Sequence, residues 1–260
     1  MRKAILILTM TSILCSCSML GKINWDPVQL QNAATAALTA ASISDAQVVA
    51  LSQRTVAQLD AQYPQADAKY QERLDRLLSS VPDVEGIPVN YKVYKTDEVN
   101  AFACGDGSIR VYSGLMDLMD DDELMAIIGH ECGHVVHQDS KKAMRSAYLT
   151  MAARNLVSAT GGTVGALSQS VLGDIGEMFV SSQYSQKQEF AADDYGYRFS
   201  VEHGRSPYGM SSSLEKLVEL AGSQKASLVQ KMFSSHPDSA KRAQRIKAKA
   251  DADLAKAAED

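Results

Sequence analysis

The sequence predicts an α+β domain that is mostly α-helical and carries a small antiparallel sheet. Three observations lead there. Apolar residues recur at helical spacing from Leu115 almost to the C-terminus. Residues 89 to 112 show strand alternation and the turn residues of one hairpin, and a His-Glu-x-x-His sequence lies inside a helical stretch. At 260 residues, 45% hydrophobic and 22% charged, the chain can form one domain with a sizeable core. A net charge of −5 and 6% aromatic content argue against a phosphate-binding or base-stacking surface, so no nucleic-acid partner is expected.

The first residues form a separate unit. Arg2 and Lys3 precede an apolar run from Ala4 to Leu14, too short to span a bilayer and of the right size for a signal-peptide core. Leu14-Cys15-Ser16-Cys17 resembles a bacterial lipobox, with Cys17 as the lipid attachment point. Residues 1–16 are then a lipoprotein signal peptide, 17–43 a tether and 44–260 the folded domain. Ser18, with no Asp there, fits outer-membrane sorting and a lipid-anchored place on the periplasmic face; a plain secretory signal cleaved near Ser18 is the alternative. Cys104 and Cys132 are left either to pair with each other or to stay as two buried thiols.

Within the domain, Ser44 and Gln47 form a capping-box pattern, and Val48, Leu51 and Leu59 support a helix to about Ala61. Tyr70, Leu74, Leu77, Leu78 and Val81 give a second helix that Pro82 stops. Val89, Tyr91 and Val93 alternate as in a half-buried strand. Val99 to Ala103, the Gly105-Asp106-Gly107 turn and Ser108 to Tyr112 predict a β-hairpin. A helix is expected from about Asp122 to His137, capped by Asp120 and Asp121. Asn155 to Gly173 is uncharged, but its glycines and its Ser, Thr and Gln side chains disfavour a membrane span. Residues 150–180 are therefore expected as two helices joined at Gly161-Gly162. Ala240 to Ala258, rich in Ala and Lys, is expected as a solvated helix. The chain has no internal repeats.

The chemistry centres on His130-Glu131-Cys132-Gly133-His134. Spacing of i, i+4 puts both imidazoles on one helix face, within reach of a single Zn²⁺ at about 2.0–2.1 Å. Glu131, beside the first histidine, can reach a water on that metal. Catalytic zinc needs a third protein ligand and an open fourth position. His137 points partly off the ligand face and suits a helix-end role better. Glu189 and Asp193 lie one turn apart on a later helix, the first able to ligate and the second able to accept a hydrogen bond from a ligand histidine. Spacing alone leaves a solvated acidic face equally open. His236 is either a loop histidine before a helix beginning at Pro237, or a group near the open zinc position. There it could stabilise an oxyanion or occupy the metal at rest. Arg242 could support it or bind a substrate carbonyl.

Together, His-Glu-x-x-His, then Glu189-x-x-Ala-Asp193, then Ser235-His236-Pro237 and Arg242 resemble the HtpX/BepA family of zinc metallopeptidases. The segment from Asn100-Ala101-Phe102-Ala103 to Ser113-Gly114-Leu115 is similar to that family's sequence before the zinc helix. The resemblance runs from about Ser44 to Arg245. It implies a zincin-like domain with one Zn²⁺ per chain, Glu189 as third ligand, and Asp193 supporting or protonating the site. It also implies that Asn100, Ala101 and Phe102 form an edge against which an extended peptide pairs. Cys132, within the motif, receives no role from the family. The implied activity is endoproteolysis of misfolded or misassembled, unfolded envelope proteins, through a zinc-activated water with Glu131 as general base. A chaperone-like binder of outer-membrane protein segments is the alternative.

Overall fold

The computed structural model describes residues 44–153 and 169–259. The signal peptide, Cys17, the tether and Gly161-Gly162 lie outside these residues. Helix α1 (Asp45–Gln62) starts where expected: Ser44 and Gln47 form a reciprocal capping box, and Val48, Leu51, Val56 and Leu59 bury one face. In α2 (Ala68–Leu78), Leu74, Leu77 and Leu78 face the core. Arg73 fastens α2 to the segment leading into the His-Glu-x-x-His helix, donating to Met116 O (2.6 Å), Met119 O (2.8 Å) and Asp121 Oδ1 (2.7 Å).

A two-stranded ribbon, β1 (Asp83–Val84) and β2 (Ile87–Pro88), escaped the sequence reading. Its two-residue turn puts Glu85 (φ 51°) and Gly86 (φ 79°) in the left-handed region, the turn that matches strand twist. The main sheet has β5 (Ser108–Tyr112) between β3 (Asn90–Tyr94) and β4 (Ala101–Ala103). The β4–β5 hairpin is antiparallel as expected, but β3 runs parallel to β5, so the sheet is mixed. Alternation in residues 89–93 specifies a strand and leaves its neighbour open; the 95–100 connection carries the chain past β5 to its far side.

The sheet is buried on both faces, and side-chain alternation sorts them. Val93, Ala101, Ala103, Ile109 and Val111 join a core with α2 and the His-Glu-x-x-His helix. Tyr94, Phe102, Cys104 and Tyr112 join a second core with α1. On that second face Arg110 is buried and donates to Asp60 of α1 (2.9 and 3.2 Å), which also accepts from Tyr94 Oη (2.7 Å).

After α3 (Ser113–Leu118), the motif helix α4 (Asp121–Val136) opens on a second capping box. Asp120 accepts from the Asp122 and Glu123 N–H groups, and Glu123 accepts from Asp120 N–H. Helices α5 (Asp139–Ala153) and α6 (Gln169–Val180) pack with α1. Among the described residues no helix is long and apolar enough to cross a membrane. Helix α7 (Gln186–Glu202) lies against α4 at backbone contact. A Cβ on Gly196 would meet Ala126 O at 2.7 Å and His130 N at 2.8 Å, and one on Gly133 would meet Ala192 Cα at 3.0 Å.

The chain closes with α8 (Gly209–Ala221), a 3₁₀ turn (Ala226–Val229), α9 (Gln230–Ser235) and α10 (Ser239–Ala257). Helix α10 corrects two expectations. It begins at Ser239 after Asp238 in a left-handed conformation, not at Pro237. It is also not simply solvated: Arg242, Ala243, Ile246 and Ala250 form a buried stripe, whose small alanines let it settle on α7 and α8.

Candidate metal centre

Helix α4 brings His130, Glu131 and His134 to one buried point, and the close α4–α7 contact carries Glu189 and Asp193 to the same place. Loop 236–238 adds His236. All six are at most 5% exposed. The Nε2 atoms of His130 and His134 face each other at 3.1 Å. Glu189 Oε1 lies 3.4 Å from His134 Nε2, and Oε2 lies 3.7 Å from His130 Nε2. His236 Nδ1 lies 3.3 Å from His130 Nε2 and 3.0 Å from Glu189 Oε1. One ligand atom from each of these four residues falls within 4.8 Å of the others.

These spacings fit a small cation. Four ligands at about 2.0–2.1 Å from a tetrahedral centre stand about 3.3–3.4 Å apart, near the separations found here. A proton bridging the two Nε2 atoms would satisfy them by making one ring an imidazolium; a cation facing both lone pairs satisfies them with both rings neutral.

Groups behind the cluster fix it. Asp193 Oδ1 lies 3.0 Å from His130 Nδ1, so the far nitrogen of His130 carries the proton and Nε2 turns inward. Arg242 donates to both oxygens of Asp193 (2.9 and 2.6 Å) and pairs with Glu189 Oε2. Burial alone would raise the carboxyl of Asp193, but the Arg242 hydrogen bonds and charge outweigh it and bring it down to about 2. Glu189 is likewise held low against burial, by the charge of His236 and hydrogen bonds to His134 and His236. His130 is lowered chiefly by burial. Burial also opposes charge on His134, yet Asp139 and Glu189 raise it to about 9.

The remaining expected residues fall as follows. Arg242 is 1% exposed with its guanidinium taken by the carboxylates of Asp193 and Glu189, which leaves no face for a substrate carbonyl; its approach to His236 is at the backbone O, 3.5 Å away. Asp193, with both oxygens occupied, fits support rather than proton transfer. Phe102 is packed among Tyr94, Tyr112 and Phe179, so its side chain belongs to the core. Asn100 accepts from Ala101 N–H (3.0 Å). Among the described residues β4 lies at the sheet's edge, and the bonds Cys104 N→Ser108 O and Tyr112 N→Asn100 O direct the backbone groups of Ala101 and Ala103 away from β5; yet Asn100, Ala101, Phe102 and Ala103 are all at most 5% exposed, so this edge is covered rather than open as expected. His137 caps α4 and packs edge-on to Tyr195. Cys104 and Cys132 are free buried thiols in separate cores. An apolar recess lined by Ile127, Met210, Leu214, Leu217 and Met232 opens beside Glu131 and His236.

Two neighbours escaped the sequence reading. Tyr184 stacks on the His134 ring, with centroids 3.9 Å apart and planes at 14°. It precedes a capping box and carries no local signal. Asp139 Oδ2 lies 3.4 Å from His134 Nδ1. Its acidic position just past the motif helix was the available clue.

The model of Peptidase family M48 matches residues 64–250. Metalloprotease LoiP of Escherichia coli (strain K12) is 43% identical over 97% of this chain and 98% of its own length. Metalloprotease YcaL of the same strain is 41% identical over 81% of this chain and 83% of its own. A Protease HtpX homolog of Salinibacter ruber is 30% identical over 48% of each chain.

Proposed function

The chain belongs to peptidase family M48 and is a metalloprotease, and from that premise we propose that it is a zinc endopeptidase. His130, His134 and Glu189 would hold the metal. Mixed imidazole and carboxylate donors at near-tetrahedral spacing suit Zn²⁺. Bound there, Zn²⁺ supplies Lewis-acid polarisation of a peptide carbonyl and lowers the pKa of water.

The chain's own residues do the rest. Glu131 Oε1 has no hydrogen-bond partner among the described residues and is 3.7 Å from His236 Nε2. It takes the proton of the attacking water at that oxygen and returns it to the leaving amine. Asp193 keeps His130 in one tautomer, and Arg242 keeps Glu189 and Asp193 ionised. The outer edge of β4, covered here, would pair with the backbone of an extended peptide once exposed, a contact available to unfolded chains of many sequences.

His236 gives the site a resting state. With Nδ1 beside both His130 Nε2 and Glu189 Oε1, it would serve as a further ligand at rest and keep the attacking water out until its loop withdrew. The lipobox-like start, with Cys17 acylated, would hold the enzyme on the periplasmic face of an outer membrane, where misfolded envelope proteins are its substrates.

The observation that carries this reading is the buried cluster of four metal-ligand atoms with Glu131 beside it. The test is cleavage of casein by the purified chain, with and without a chelator. Cleavage that stops in chelator and returns with Zn²⁺ supports the proposal. Persistent binding of unfolded protein without cleavage under any metal condition would replace it with the chaperone-like binder.

A further inference from the structure

We propose that Asp139 is a positioning residue for the metal centre, orienting His134 as Asp193 orients His130; the inference rests on reading His134 as a ligand. The two histidines are handled alike. Each turns Nε2 to the other, at 3.1 Å, and each has a carboxylate at Nδ1: Asp193 at 3.0 Å and Asp139 at 3.4 Å. A carboxylate there keeps the ring proton on Nδ1, leaves the Nε2 lone pair facing inward and strengthens that nitrogen as a donor.

The backbone is bent to bring Asp139 in. Helix α4 ends at Val136, and Gln138 takes φ 59°, a left-handed conformation disfavoured for a residue with a Cβ. That reversal returns the chain so that Asp139, 2% exposed, lies against a ring five residues earlier. Its other oxygen accepts from Gln188 Nε2 (2.8 Å) and Lys142 Nζ (3.2 Å). Gln188 in turn completes the cap of α7, accepting at Oε1 from Ser185 N–H (2.9 Å), and is the neighbour of Glu189. One carboxylate thus ties the end of α4, the start of α5 and the start of the helix that supplies Glu189. The stacked Tyr184 ring limits rotation of His134 from the side.

A plainer role is available, because an acid at a helix start is favoured there. That role predicts lower stability and no change at the metal. The two are separated by Zn²⁺ affinity of the full chain, from competition with a chromophoric chelator, and by the visible spectrum of the Co²⁺-loaded chain. Asp139→Asn should weaken Zn²⁺ binding about ten- to a hundredfold and shift the Co²⁺ bands. Asp139→Glu, which keeps the charge, should recover part of the affinity. Wild-type affinity and bands in Asp139→Asn overturn the proposal, even if the metal-free chain melts earlier. Should that variant not fold, Asp139→Glu decides: its carboxylate is displaced, so wild-type affinity and bands also overturn it. A wild-type chain that takes up no Zn²⁺ overturns this proposal and the metal-centre reading together.

Discussion

His130, Glu131 and His134 were legible because their geometry is local: one helix turn sets it, whatever the rest of the chain does. Glu189 and Asp193 were legible as a pair, but spacing could not tell a ligand face from a solvated one. The deciding contact with α4 is tertiary. Glu189→Ala should lose both metal and activity, since it leaves two or three imidazoles without the charge that holds a dication. Zinc content by mass spectrometry checks this, and full occupancy at micromolar metal would place the third ligand elsewhere. A lone arginine beside a histidine motif gives no hint of burial, so the sequence leaves Arg242 between supporting His236 and binding a substrate carbonyl, whereas its guanidinium holds Asp193 and Glu189. The sequence does not decide between loop and site for His236, and the structure places it in the cluster, 3.0 Å from Glu189. If it fills the fourth position at rest, His236→Ala should raise basal cleavage of unfolded substrate. A role in stabilising the transition state instead predicts a loss of roughly 10²–10³-fold.

At the level of elements, boundaries with strong side-chain signals were readable. The capping boxes at Ser44 and Asp120 start α1 and α4 where the sequence placed them. Neighbours were less readable: nothing in Val89-x-Tyr91-x-Val93 says that β3 will run parallel to β5. The α4–α7 contact was invisible because it depends on absent side chains. Gly196→Ala should force the helices apart and cost about 1–3 kcal/mol by overpacking, with weaker metal binding because Glu189 and Asp193 move away. Denaturant unfolding and a zinc titration read the two effects. Arg110 and Asp60 tie β5 to α1. Burial would raise the Asp60 carboxyl, but hydrogen bonds from Arg110 and Tyr94 outweigh it and hold it below its ordinary 3.8. A lowered carboxyl contributes stability above its unfolded value and loses it as pH falls through the folded one. The stability gap between wild type and Asp60→Asn should therefore be full at neutral pH and shrink as pH falls below the ordinary carboxyl value of 3.8. A gap that persists in acid would contradict that origin.

For the whole molecule, the fold class could be anticipated from periodicity, while the layering of two cores around one sheet could not. A buried two-faced strand and a half-exposed one differ only in what covers them. The proposed anchor is a property of the intact chain: Cys17→Ala should leave the signal unprocessed or release the protein from the membrane fraction, as fractionation and immunoblotting would show. Continued attachment with normal processing counts against it. The central claim is that this chain hydrolyses peptide bonds with Glu131 as its base at a metal held by other residues. It is tested most directly by measuring casein turnover and zinc content together in Glu131→Gln. The account predicts that cleavage is abolished while zinc stays near one per chain. Substantial turnover, or loss of the metal with the carboxylate, would contradict it.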